Sequence, residues 1–111
     1  MDGLAVDGRV LALTDSGFLV DAADWDETVA AALAVRSRIE LTEAHWEILR
    51  FIREYYLSFQ HLPNARMFVK AVQKRFGEDK GNSRYLHGLF PDGPVRYACL
   101  IAGLPKPPGC L

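Results

Sequence analysis

A chain of 111 residues, 50% hydrophobic and 24% charged, has the make-up of one ordinary globular domain, able to bury about two-thirds of the surface its unfolded form would expose. Two cysteines are too few for a disulfide framework or a four-cysteine zinc site, and neither CxxC nor HExxH occurs, so no metal and no cofactor is expected. The net charge of −1 hides an asymmetry, with −6 on residues 1–63 and +5 on residues 64–111, which suggests an acidic or anionic partner for the C-terminal part.

The chain opens on "LAVDGRVLAL", an alternating run with Asp7-Gly8 where a two-residue hairpin turn belongs. "TDSGFLV" reads as a second turn and a short extended piece. Asp24 can cap a helix over about 25–35, with Trp25, Val29 and Leu33 on its inner side. Thr42 can cap a longer one over about 43–59, where Trp46, Leu49, Ile52, Tyr56 and Phe59 recur at three- and four-residue steps. Phe51, Tyr55 and Ile48 widen that stripe, so it predicts a central helix covered on more than one side.

After Pro63, Asn64 caps a third helix ending at Gly77, with Ala65, Phe68, Val69, Val72 and Phe76 facing inward. Arg66, Lys70 and Lys74 form a basic stripe on its outer side. "RYLHGLF" makes a short helix capped by Asn82 or Ser83, and Pro94 suits the first position of a fifth helix over about 94–102. Gly103 is a left-handed C-terminal cap and Pro105 a breaker. The fold class is therefore mainly α: a small helical domain of about five helices over residues 1–103, with an N-terminal β-hairpin. Residues 104–111, "LPKPPGCL", form a stiff, mobile C-terminal arm spanning on the order of 20 Å.

That arm carries Cys110, the penultimate residue. An exposed thiol there is an oxidation liability unless it is carried to something. Cys99 sits among Ala98, Leu100, Ile101 and Ala102, the surroundings of a core thiol, yet the spacing also allows a fold-back through Gly103 that pairs the two sulfurs. The terminal carboxylate disfavours a thiolate at Cys110. It becomes a good nucleophile where it docks on positive charge, for which Arg66, Lys70, Lys74, Lys80, Arg84, Arg96 and Lys106 are the candidates. No run approaches signal-peptide or membrane-span length, so a cytoplasmic location without membrane insertion is expected. The histidines His45, His61 and His87 are scattered, and His45 reads as an ordinary surface or packing residue. Helices two and three also have the proportions of a helix-turn-helix pair, leaving a nucleic-acid-binding regulator as the alternative reading.

The run "GNSRYLHGLFPDGPVRYACLIAGLPKPPGCL", with "LTEAHWEILRFIREYY" upstream, resembles the DsrC/TusE family over nearly the whole chain. "GLPKP" followed by a penultimate cysteine is its most specific feature. The resemblance implies a sulfurtransferase-type carrier that acts with partner proteins, with Cys110 accepting sulfur as a persulfide and Cys99 as the resolving thiol found in some members. It further implies a TusBCD- or DsrEFH-like donor complex. The acceptor would be a tRNA-thiolating enzyme, with indirect contact with tRNA, or dissimilatory sulfite reductase. Cys99 favours the DsrC-like branch, because TusE-type members can lack it.

Overall fold

The hairpin forms where the alternation places it. The computed structural model describes residues 3–109, and in it β1 (Gly3–Val6) pairs antiparallel with β2 (Arg9–Ala12), Leu4 opposite Leu11 and Val6 opposite Arg9. Asp7 and Gly8 both take positive φ, 48° and 78°, as a two-residue turn that follows the twist of its strands requires. Leu4, Val6 and Leu11 are buried, and β1 packs on the first helix. Residues 14–18 then close a small loop in which Thr14 Oγ1 accepts the Phe18 N–H at 3.1 Å and the Phe18 ring is buried.

The first helix starts later than its aspartates suggest. Ala22–Asp24 is a single 3-10 turn, Trp25 is extended (ψ 136°), and α1 is Glu27–Arg36. Asp26, not Asp24, is the cap, accepting the Val29 N–H at 2.8 Å. Trp25 stays out of the helix because its indole is bonded to the far end of the chain, a tie that local sequence does not reveal.

Helix α2, Glu43–Phe59, has the expected limits, and Thr42 and His45 close its N-terminus. His45 Nδ1 accepts the Thr42 N–H at 3.1 Å while Nε2 lies 2.8 Å from the Leu89 carbonyl, an arrangement that places the ring proton on Nε2. His45 thus fills the third-position role usually taken by Glu or Gln in a capping box, and it is buried. It is a packing residue and not a surface one.

The centre of the domain lies elsewhere than the width of the α2 stripe predicts. Ile48, Leu49 and Ile52 are buried, but Leu57 and Phe59 in the last turns are 72% and 58% exposed. The surrounded helix is α5 (Pro94–Ile101), which packs on α1, α2, α3 (Ala65–Phe76) and α4 (Ser83–Leu89). Its buried Ala98, Cys99 and the following Ala102 are small, and small residues let several neighbours approach one short helix. Asn64 and Asn82 cap α3 and α4 through the Met67 and Tyr85 N–H groups, at 2.9 and 2.8 Å. On the inward side of α3, Phe68 and Val72 are buried, Val69 and Phe76 half-buried and Ala65 exposed. Among the described residues the result is mainly α, five helices with a two-stranded N-terminal hairpin, as expected. Among the described residues no helix is long and apolar enough to cross a membrane.

Candidate functional site

The base of the arm is a helix C-terminus whose backbone acceptors are all used. The last carbonyls of a helix have no partner within it, and at the end of α5 each finds one. Gly103, at φ 72°, turns the chain so that its own N–H donates to Leu100 at 3.2 Å and the Leu104 N–H donates to Cys99 at 3.0 Å, the Schellman pattern. The Trp25 indole N–H donates to the Ile101 carbonyl at 2.9 Å, and Arg53 donates to the Ala102 carbonyl at 2.7 Å. The Arg53 guanidinium also lies 3.8 Å from the centre of the Trp25 ring. A cation at this end complements the helix dipole, and the stacking adds a cation–π contact. Burial lowers the Arg53 pKa from its ordinary value, but a guanidinium stays charged at any working pH.

Gly103 is there for a second reason. A Cβ at this position would meet the Trp25 side chain, 2.6 Å from Cγ and 2.8 Å from Cβ, closer than atoms pack. Trp25 and Arg53 hold the base of the arm, and neither stands out in the sequence as doing so. The one available signal was a Trp whose N–H needs an acceptor when buried, and sequence does not name an acceptor 76 residues away.

Cys99 lies inside α5 with 0% exposure, in the core setting that its neighbours suggest. Cys110 lies outside the described residues. Between them, the chain keeps packing beyond Gly103. Leu104 is buried at 4% exposure and Pro107 is buried as well, so the proline-rich segment has apolar surface to bury. Lys106 Nζ reaches Ser16 Oγ at 3.4 Å, across a groove of about 490 Å³ lined by residues 14–16, 18–20, Gly103 and Pro105. Amide exchange should reflect this anchorage. The Leu104 N–H, bonded to Cys99, is expected to be protected to nearly the degree of the α5 amides, and the Lys106 N–H to exchange at close to the free-chain rate. Equal, fast exchange at both would show that the anchorage is not maintained in solution.

The candidate cations do not form one cluster. Arg66, Lys70 and Lys74 are exposed along α3 and Arg84 is exposed on α4. Lys80 is already engaged, with Nζ 2.7 Å from Glu47 Oε1, a bond that raises its pKa above the ordinary value. Arg96 lies 5.5 Å from the Phe18 ring, and Phe18 lines the same groove as Lys106. Arg96 and Lys106 are thus the candidates that the fold places on the arm's side of the molecule.

Over residues 5–111 the chain matches the family described as DsrC like protein. The chain belongs to this DsrC-like family. The match runs through the helices, Cys99 and the arm to the last residue. Sulfurtransferase TusE of Salmonella choleraesuis (strain SC-B67) is 49% identical to this DsrC-like chain over 108 residues, 97% of the chain and 99% of that protein. Sulfurtransferase TusE of Photorhabdus laumondii subsp. laumondii is also 49% identical over 108 residues, 97% of each. Among solved structures, the NMR structure of Allochromatium vinosum DsrC superimposes with a TM-score of 0.89 at 48% identity, covering 99% of this chain and 98% of that one. The crystal structure of the oxidized gamma-subunit of the dissimilatory sulfite reductase (DsrC) from Archaeoglobus fulgidus gives 0.84 at 46% identity, covering 99% and 100%.

Proposed function

We propose that this protein is a cytoplasmic sulfur carrier in which Cys110 takes up sulfane sulfur from a donor persulfide and passes it to an acceptor. The Cys110 thiolate attacks the outer sulfur of the donor persulfide, the donor thiolate leaves, and Cys110–S–SH forms. The observation that carries this reading is the full-length match to a family of sulfurtransferase-named relatives, extending through the arm to its penultimate cysteine. The geometry supports it by fixing the arm's origin: a helix end with every carbonyl bonded aims the segment that follows it. Cys99 is the candidate resolving thiol. Its attack on the inner sulfur of Cys110–S–SH would close a Cys99–Cys110 disulfide and release sulfide.

The donor and acceptor are protein partners of the TusBCD or DsrEFH kind on one side and a tRNA-thiolating enzyme or dissimilatory sulfite reductase on the other. Similarity does not separate these branches, since the TusE and DsrC relatives stand at 49% and 48% identity. The presence of Cys99 favours the two-thiol, DsrC-like chemistry.

Incubation with a cysteine desulfurase and its relay proteins is expected to add one sulfur, roughly 32 Da by intact mass, removable by reductant. The adduct should vanish in Cys110→Ser and persist in Cys99→Ser. Sulfur carried on Cys99 in the Cys110→Ser protein would reverse the roles. Salt-dependent duplex binding that survives loss of both cysteines, with no sulfur loading, would favour the nucleic-acid-binding alternative instead.

A further inference from the structure

We propose that the groove between α2 and α3 is a docking site for an acidic amphipathic helix of a protein partner. This rests on the groove alone and not on the role given to either thiol. Phe51, Tyr55 and Phe59 stand at four-residue steps along α2, Met67 faces them from α3, and Lys70 and Lys74 line the same groove of about 570 Å³. Phe59 is 58% and Met67 46% exposed. An exposed apolar patch of this kind, set among charges, marks an interaction surface.

The charge around it says what the partner brings. Arg75 is compensated, 3.2 Å from Glu54 and 6.0 Å from the Phe51 ring. Among the described residues neither Lys70 nor Lys74 has a carboxylate within ion-pair range. The uncompensated charge is therefore positive, along a helical edge beside an apolar floor. A helix with an apolar stripe flanked by Glu or Asp matches both features.

Base stacking fits less well. Tyr55 and Phe59 lie 4.7 Å apart but tilted by 54°, and Tyr55 meets His61 edge-on at 83°, so the rings engage one another and offer no parallel platform. The groove also lies across α2 from the arm. Arg53, two positions from both Phe51 and Tyr55, points to the Ala102 carbonyl, and two residues on a helix are about 200° apart. A partner seated in the groove leaves the arm's exit uncovered.

The test is an NMR titration of the full-length protein with three probes: a Leu/Glu heptad peptide, its Leu/Lys twin and oligouridylate. The Leu/Glu peptide is expected to shift the amide signals of Tyr55, Phe59, Met67 and Lys74 and to bind about tenfold more tightly than the twin, a difference of about 1.4 kcal/mol. K70E/K74E should reverse that preference, and Phe59→Ala should weaken both peptides. All three positions are exposed, so matching spectra elsewhere will show that the variants fold. No shift at these residues, a preference unaltered by K70E/K74E, or displacement of the peptide by oligouridylate from the same residues would each overturn the proposal.

Discussion

Replacing Gly103 with alanine is expected to destabilise the protein by about 3–5 kcal/mol, near the top of the range for a single substitution. Part of this is the left-handed backbone, about 1–2 kcal/mol for a residue with a Cβ. The rest is Trp25. The new Cβ would overlap its side chain, so the ring must move, giving up its hydrogen bond to Ile101 and its stacking with Arg53. A hydrogen bond of this kind contributes about 1 kcal/mol net. Two comparisons separate the causes. Gly103→Asn tolerates the left-handed conformation but keeps the overlap, so its cost should approach that of alanine. In a Trp25→Ala background, which removes the ring, Gly103→Ala should cost little more than the backbone term. Urea unfolding with an unchanged m-value is the measurement. A loss below about 1 kcal/mol in the otherwise unmodified protein would mean that the arm's base is not clamped as described.

What the sequence made legible follows the range of the forces involved. Thr42, Asn64 and Asn82 were readable as caps because a cap bonds within one turn of itself, and Asp7-Gly8 because turn conformation is set by two residues. Asp26 displaced Asp24 as a cap because Trp25 is held by Ile101, and no local rule weighs that bond. The same limit explains the misplaced centre. A wide apolar stripe marked α2, yet its last turns are exposed, while short α5 is surrounded because its small residues let other helices close in. His45 showed no sign in sequence of reaching Leu89, and Lys80 none of reaching Glu47. The core setting of Cys99 was legible from its apolar neighbours. The role given to Cys110 came from resemblance, since no packing argument assigns a function to a penultimate thiol. The packing of Leu104 and Pro107 was not foreseen, because composition alone marks a proline-rich tail as stiff and not as docked.

That packing governs the chemistry open to the second thiol. Cys99 is fully buried, and its own carbonyl is bonded by the Leu104 N–H that starts the arm. Reagents should reach the thiol only when the end of α5 opens. If that opening costs about 4 kcal/mol, within the span of local unfolding, alkylation of Cys99 should run roughly a thousandfold slower than for an unstructured thiol. Arg53→Met, which frees the Ala102 carbonyl, should speed it. Oxidised glutathione is expected to act in two stages. The Cys110 thiolate first displaces one glutathione to form a mixed disulfide. Cys99, once exposed, then attacks the Cys110 sulfur, closing the intramolecular bond and releasing the second glutathione. The second stage should proceed at a rate independent of glutathione disulfide concentration, and Arg53→Met should raise that rate in step with its alkylation rate. Peptide mapping after rapid acid quench and alkylation measures both. If Cys99 reacts as fast as a free thiol, its burial is not maintained in solution. If it stays unreactive until global unfolding and only dimers through Cys110 form, it is a core residue, and the protein is a one-thiol relay despite its second cysteine.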